Sequence, residues 1–183
     1  MQKSLTKNSI YNVIYTIANI LFPFATSIYV SRILLPAGVG KVASAQNIVS
    51  YFVTLAALGL PSYGVREVAK VREKKYERNK LFTELLLVNI ISTTLAVVGF
   101  IGLVVVNEGF SGQWALYAAC GLSIAFNYLN IDWMYQGLEE YGYITGRSLL
   151  IKGLSLLALF LFVKTREDYV IYALISSLAT GGN

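Results

Sequence analysis

Lys152 is the residue of this sequence best suited to bind an anionic group. It lies in an apolar run over residues 149–163. If the helix of that run begins near Tyr143, the lysine lies ~13 Å along it at ~1.5 Å per residue. A lysine at such a depth in a membrane costs about 2.5–3.5 kcal/mol and often marks a substrate or ion pathway. We predict that its ammonium faces a cavity. The alternative is snorkelling toward the headgroups, helped by Gly153 beside it.

Amides and hydroxyls recur at helical spacing along three other apolar runs, and they could hydrogen-bond to a hydroxyl-rich ligand. Steps of three, four and seven residues place each set on one helix face. Such a face either joins helices together or lines a hydrated cavity, and both interpretations remain open. The sets are Asn8, Asn12, Tyr15, Asn19 and Thr26; Ser44, Asn47, Tyr51 and Thr54; and Ser123, Asn127 and Asn130. The substrate-cavity candidates are Lys152, Arg32, Asn12, Asn19, Asn47, Asn127 and Asn130.

The residue types that catalysis and metal binding usually need are scarce. The sequence has no histidine, and Cys120 is its only cysteine, so no intrachain disulfide can form. The usual zinc and haem ligand sets are therefore excluded. No nucleophile–base set or nucleotide-binding loop is present. We predict no catalytic residue, no metal, no cofactor and no enzymatic activity.

The runs that carry these polar residues are too long for a soluble fold. Hydrophobic residues make up 56% of the chain and charged residues 14%, against about 25% charged residues in a soluble domain. A membrane-crossing helix needs about 20 apolar residues. The predicted spans are 10–31, 42–60, 81–106, 114–135, 145–163 and 168–183. The last would reach only ~24 Å of a ~30 Å core, so we expect it to be incomplete.

We therefore predict an all-α integral membrane protein. Residues 1–183 form a single transmembrane domain of five complete helices and a truncated sixth, as the N-terminal part of a longer protein. Pro23 in the first span removes a backbone hydrogen bond and favours a kink, which is either a packing feature or a hinge.

Lysine and arginine in the connections predict the orientation. Counted over alternate connections, eleven bases lie on the N-terminal side and four on the other. The positive-inside rule then places the N-terminus in the cytoplasm. The same bias explains the net charge of +5 without a nucleic-acid partner. In the connection 66–80, acidic residues interleave with the bases, which favours a short surface helix with mixed-charge pairs.

Two segments resemble a known family. Residues 31–40 (SRILLPAGVG) resemble the S-R-x-L-x-P-x-x-x-G turn after the first helix of bacterial polysaccharide transporters. Residues 132–139 (DWMYQGLE) resemble the D-W-x-x-Q-G-x-E segment that ends their fourth helix, through Asp132, Trp133, Gln136, Gly137 and Glu139. The family is the O-antigen and oligosaccharide flippases of the multidrug/oligosaccharidyl-lipid/polysaccharide exporter superfamily.

The resemblance implies a transporter of 12 to 14 helices in two lobes, of which this chain is the first lobe. Such proteins move a polyprenyl-pyrophosphate-linked oligosaccharide across the bacterial cytoplasmic membrane, from the cytoplasmic to the outer leaflet. The expected partners are the lipid bilayer, the lipid-linked glycan, a coupling ion and other polysaccharide-assembly proteins. Arg32 and the segment around Asp132 carry over as family features. The proposed role of Lys152 comes instead from its depth in the apolar run.

Three alternatives have other requirements. A drug/cation antiporter of the same superfamily needs an acidic cavity, whereas Lys152 is basic. A membrane glycosyltransferase or polymerase needs acids or bases grouped in an outer loop, and the outer connections are short and nearly bare. A non-transporting fragment is the third.

Overall fold

The computed structural model describes residues 5–182, and this part of the chain is built from helices and short connections, without strands. The all-α class is thus confirmed. The helices are α1 (Leu5–Ala57), α2 (Leu60–Lys70), α3 (Lys75–Val106), α4 (Glu108–Ser111), α5 (Trp114–Phe126), α6 (Asp132–Gly137), α7 (Tyr141–Phe162) and α8 (Tyr169–Gly181), with a 3-10 turn over Asn127–Leu129.

Helix α1 is broken at Leu35. A straight helix of 53 residues would be ~80 Å long, more than twice the thickness of a bilayer core. Leu35 has φ 57° and ψ 173°, a conformation that strains a non-glycine residue. Pro36 follows it, and a proline disfavours the helical conformation at the residue before it. The break divides α1 into α1a (residues 5–34) and α1b (residues 36–57).

Helix α1a runs parallel to α7. The Thr145 hydroxyl donates a hydrogen bond of 3.0 Å to the Tyr11 carbonyl at one end of the pair. The Tyr29 hydroxyl donates one of 3.0 Å to the Val163 carbonyl at the other end. In both helices the second contact lies further along the chain than the first. Helices α1a and α7 therefore run in the same direction.

Helix α1b runs parallel to α8. The Lys41 ammonium lies 5.0 Å from the centroid of the Tyr169 ring, and the Gln46 side chain donates a hydrogen bond of 3.0 Å to the Ser176 hydroxyl. Helices α7 and α8 pack together across a short connection. They run in opposite directions, because a Cβ atom on Gly182, just after α8, would lie 3.8 Å from the side chain of Ile151 in the middle of α7. The chain therefore reverses direction at Leu35, and α1 is a helical hairpin.

The connection between α7 and α8 is fixed by Asp168. Its carboxylate accepts hydrogen bonds from the backbone N–H groups of Lys164, at 2.9 Å, and Thr165, at 2.7 Å. These two bonds hold the pKa of Asp168 below its usual range, because they stabilise the charged form.

Within residues 5–182, three stretches are long and apolar enough to cross a membrane: Asn8–Lys70, Lys75–Val106 and Tyr141–Phe162. The chain is therefore a multi-pass membrane protein. Helices α5 and α8 are apolar but have 13 residues each, which is ~20 Å of helix. The count of five complete spans and an incomplete sixth stays a prediction.

Several boundaries differ from the predicted ones. The helix expected over 114–135 ends at Phe126, because Asn127 begins a 3-10 turn whose backbone is held by α3. Helix α3 includes residues 75–80 of the basic connection, and the expected surface helix is α2, which lies before most of the bases. The largest apolar core cluster lies between α1b, α3, α5 and α8 and includes Cys120, which is fully buried.

Candidate substrate-binding site

Lys152 lies between α1a and α7 and is only 8% exposed. Its ammonium donates a hydrogen bond to the side-chain oxygen of Asn19 and lies 5.6 Å from the centroid of the Tyr15 ring. Helix α7 begins at Tyr141, so Lys152 lies ~16 Å along it. The structure thus brings two predicted cavity residues, Lys152 and Asn19, into contact in the middle of a long apolar helix.

A groove of about 460 Å³ runs between α1a and α7, and Lys152 lines it. We call it the Lys152 groove. Gly153, beside the lysine, leaves open space on that side. The remaining lining residues are apolar: Ile14, Ile17, Ala18, Leu21, Phe22, Ala25, Leu149 and Leu156. An ammonium has three donor hydrogens, and one of them is directed to Asn19. An apolar groove with a single cation suits a ligand that joins an anionic group to a hydrocarbon chain.

Three other predicted cavity residues lie elsewhere. Asn12, Arg32 and Asn47 are exposed, and none of them lines the Lys152 groove. Pro23 lies in α1a, where the helix continues without a break, while the irregular backbone is at Leu35. The cavity roles of these residues and the hinge role of Pro23 stay predictions.

A second cavity, which we call the polar cleft, lies between α1b, α5 and α8 and has a volume of about 440 Å³. Asn127 and Asn130 line it, as does Ser123. Its other polar residues were not among the predicted cavity residues, although Ser176 and Thr180 in α8 have the same four-residue spacing as the other stripes. The polar residues missed are Gln46, Ser50, Ser176, Ser177 and Thr180.

Asn127 connects the end of α5 to α3 through hydrogen bonds. Its side-chain amide donates hydrogen bonds of 2.8 Å to the Asn89 side-chain oxygen and of 2.8 Å to the Thr93 hydroxyl. In return, the Asn89 amide donates one of 2.7 Å to the Asn127 backbone carbonyl. The last carbonyls of a helix lack partners within it, so this bond satisfies a group that would otherwise be buried unpaired. For Asn127, the structure supports the helix-joining interpretation.

The segment 132–139 has an ion pair at each end. The Asp132 carboxylate pairs with the Arg147 guanidinium at the start of α7. The Glu139 carboxylate pairs with Arg72, which follows α2, at 2.8 Å. Gln136, between them, is half-buried. The two ion pairs therefore fix α6 against the parts of the chain on either side of it.

The same segment packs closely on α2. A Cβ atom on Gly64 would lie 2.7 Å from the Trp133 ring, and one on Gly137 would lie 2.6 Å from the Val68 Cβ. Both distances are shorter than any normal contact, so only glycine fits at either position. The Trp133 indole N–H donates a hydrogen bond of 3.2 Å to the Asn130 carbonyl. The motif of residues 132–139 thus docks α6 onto α2 and lies outside both cavities.

Comparison with known proteins identifies the family of the chain. A family model described as "Polysaccharide biosynthesis protein" matches residues 5–181. A protein of Escherichia coli (strain K12) named "Putative O-antigen transporter" is 22% identical over 176 residues, which are 96% of this chain and 42% of the relative. A protein of the same name from Shigella dysenteriae is 27% identical over 157 residues, 84% of this chain and 38% of the relative.

The chain spans about two-fifths of the length of these relatives. No solved structure is significantly similar to it. The family match covers nearly all of the described residues and confirms the resemblance found in residues 31–40 and 132–139. The chain belongs to the polysaccharide biosynthesis protein family.

Proposed function

We propose that this chain forms the first lobe of a transporter that moves a polyprenyl-pyrophosphate-linked oligosaccharide across the bacterial cytoplasmic membrane. The glycan passes from the cytoplasmic to the outer leaflet for surface polysaccharide assembly. Family membership and the names of the two relatives support a role in polysaccharide transport. A coupling ion and contacts with other polysaccharide-assembly proteins belong to the same proposal.

The observation that carries the proposal is the position of Lys152. Lys152 lies in the middle of α7 and lines a groove whose other lining residues are apolar. A pyrophosphate needs a cation, and an isoprenoid chain needs apolar walls. Asn19 holds the ammonium from α1a, so that the charge is directed between the two helices. Both parts of a lipid pyrophosphate therefore have a counterpart in one groove.

The charge of the groove separates this function from drug/cation antiport. A cationic drug would be attracted by acidic side chains, and no aspartate or glutamate of the described residues lines the Lys152 groove. Among those residues, the one ionisable side chain that lines it is a lysine, which repels cations. The groove thus favours an anionic over a cationic substrate.

The test uses the complete reading frame that encodes this chain, in a strain that lacks its own flippase. Lys152→Ala and Lys152→Met should both reduce surface glycan about tenfold or more, because a charge-assisted hydrogen bond is worth ~1.5–3 kcal/mol. The Met variant keeps the apolar stem and its packing. Lys152→Arg should retain part of the activity, since it keeps the charge but changes its shape. The measurement is surface glycan per unit of membrane-inserted protein.

Lys164→Ala is the matched control, because Lys164 is exposed in the connection between α7 and α8. It should leave the amount of surface glycan unchanged. Normal export by Lys152→Met would show that the ammonium has no part in transport, and the groove would lose its proposed role.

A further inference from the structure

We propose that the polar cleft between α1b, α5 and α8 binds a neutral, hydroxyl-rich group. This inference rests on the proposed function, within which the group is the sugar part of the lipid-linked glycan. The cleft would then bind the sugar, while the Lys152 groove binds the lipid pyrophosphate. Three features support this: the hydrogen bonds that the cleft hydroxyls already make, the uncharged lining of the cleft and its separation from the Lys152 groove.

Three hydroxyl groups of the cleft, those of Ser50, Thr54 and Thr180, present acceptors rather than donors. Ser50 donates its hydroxyl hydrogen to the Asn47 carbonyl at 2.7 Å, and Thr54 donates to the Ser50 carbonyl at 2.8 Å. Thr180 in α8 donates to the Ser176 carbonyl at 2.8 Å. A hydroxyl has one hydrogen and two lone pairs. Each of these oxygens therefore offers only lone pairs to a ligand, which suits a ligand that brings many O–H donors.

Amide groups supply the complementary donors. The Gln46 amide donates one hydrogen to Ser176 and keeps a second. The side-chain amide of Asn130 makes no hydrogen bond with any residue that the structure describes, and it lines the cleft. Phe126 adds an apolar surface that the C–H face of a sugar ring can cover. Acceptors, donors and an apolar surface together match the chemistry of a sugar.

The described part of the chain places no charged side chain in the cleft. The lining residues include no aspartate, glutamate, lysine or arginine. An anionic or cationic group would lose its hydration there without a partner of opposite charge. The cleft thus suits a neutral ligand, and a pyrophosphate would have to bind elsewhere.

The two cavities are built from different parts of the chain. The Lys152 groove lies between α1a and α7, and the polar cleft lies between α1b, α5 and α8, with no lining residue in common. The break at Leu35 separates the helix segments that contribute to each. Substitutions in one cavity can therefore be made without touching the other.

The test measures binding of two probes to the protein expressed from its complete reading frame and placed in lipid nanodiscs. The first probe is the neutral oligosaccharide released by mild acid from the lipid-linked glycan of the host. The second is polyprenyl pyrophosphate without sugar. Thr54→Val and Thr180→Val keep the shape of the side chain and remove its oxygen. Each should weaken oligosaccharide binding about two- to tenfold and leave polyprenyl pyrophosphate binding unchanged.

Thr83→Val is the matched control. The Thr83 hydroxyl is exposed on α3 and donates to the Asn79 carbonyl at 3.1 Å, which is the same bond type as in Thr54 and Thr180, but it does not line the cleft. It should bind both probes like the unsubstituted protein. Ser123→Leu, which fills the cleft, should abolish oligosaccharide binding, and its melting temperature shows whether the fold is kept.

The outcomes separate this inference from the proposed function. If the protein exports glycan but the two valine variants bind the oligosaccharide normally, the cleft is not its binding site and the inference is overturned. The same holds if an exporting protein binds no free oligosaccharide. If the protein exports no glycan and yet binds the oligosaccharide through Thr54 and Thr180, the inference stands and the proposed function fails.

Discussion

Polar side chains inside this apolar bundle join helices, line a cavity or do both. The sequence pattern left these interpretations open, because a stripe of asparagine has the same spacing in each case. Asn127 does both, since it lines the polar cleft and is paired with Asn89 and Thr93, whereas Asn19 is paired with the Lys152 ammonium and lines neither cavity. No periodicity in one helix could show which residue of another helix would meet it.

At this scale, we predict that Asn89→Leu destabilises the protein by about 1–3 kcal/mol, because it leaves buried polar groups of Asn127 without partners. Asn79→Leu is the control, since Asn79 is exposed on the same helix. Thermal unfolding in detergent should show a lower midpoint for the first variant alone. Equal midpoints would mean that the Asn89–Asn127 pair does not stabilise the bundle.

The helices and their apolar faces were predictable from the sequence, but two details of the elements were not. The break in α1 at Leu35 lies inside the turn predicted at residues 31–40, but the sequence did not show that helical backbone continues up to it from both sides, and the role of Pro23 stays a prediction. The segment 132–139 was found from its motif, yet its role in packing on α2 was not. That role depends on Val68 and Gly64, which lie far away in the sequence.

For the elements, we predict that Gly137→Ala separates α6 from α2 and destabilises the protein by about 1–3 kcal/mol. The new Cβ would lie 2.6 Å from the Val68 Cβ and 3.0 Å from the Val65 carbonyl oxygen, and neither atom can move without the backbone. Gly146→Ala in α7 is the control, because its Cβ would meet no atom within 4 Å.

The control should even stabilise helix α7 by about 0.5–1 kcal/mol, since alanine is the better helix former. The two variants should therefore shift the unfolding midpoint in opposite directions. A Gly137→Ala protein as stable as the original would contradict the close docking of α6 on α2.

For the molecule as a whole, the order of the apolar runs and their alternating direction followed from the sequence. The division of the polar residues between two cavities did not follow, because it depends on which helices become neighbours. The parallel pairs α1a–α7 and α1b–α8 join residues that are more than 120 positions apart.

The orientation in the membrane gives a prediction for the whole molecule. We expect the end that carries α2 and α6 to face the cytoplasm, because most of the bases lie there. Single cysteines at Gly112→Cys and Lys75→Cys, in a Cys120→Ala background, test it. Both positions are exposed, and a Cβ on Gly112 meets no atom within 4 Å. An impermeant reagent should label position 112 but not position 75 in intact cells. The opposite pattern would show that the predicted orientation is wrong.

Translocation itself is the most direct test of the central claim. The protein from the complete reading frame is reconstituted into vesicles that contain the lipid-linked oligosaccharide, and a membrane-impermeant glycosidase added outside measures how fast the inner pool becomes accessible. We expect vesicles with the protein to expose the whole pool and protein-free vesicles to expose only the outer half, while Lys152→Met vesicles should expose the inner pool about tenfold more slowly or slower still. If the inner pool stays protected with the unsubstituted protein, or if Lys152→Met exposes it at the same rate, the account is contradicted.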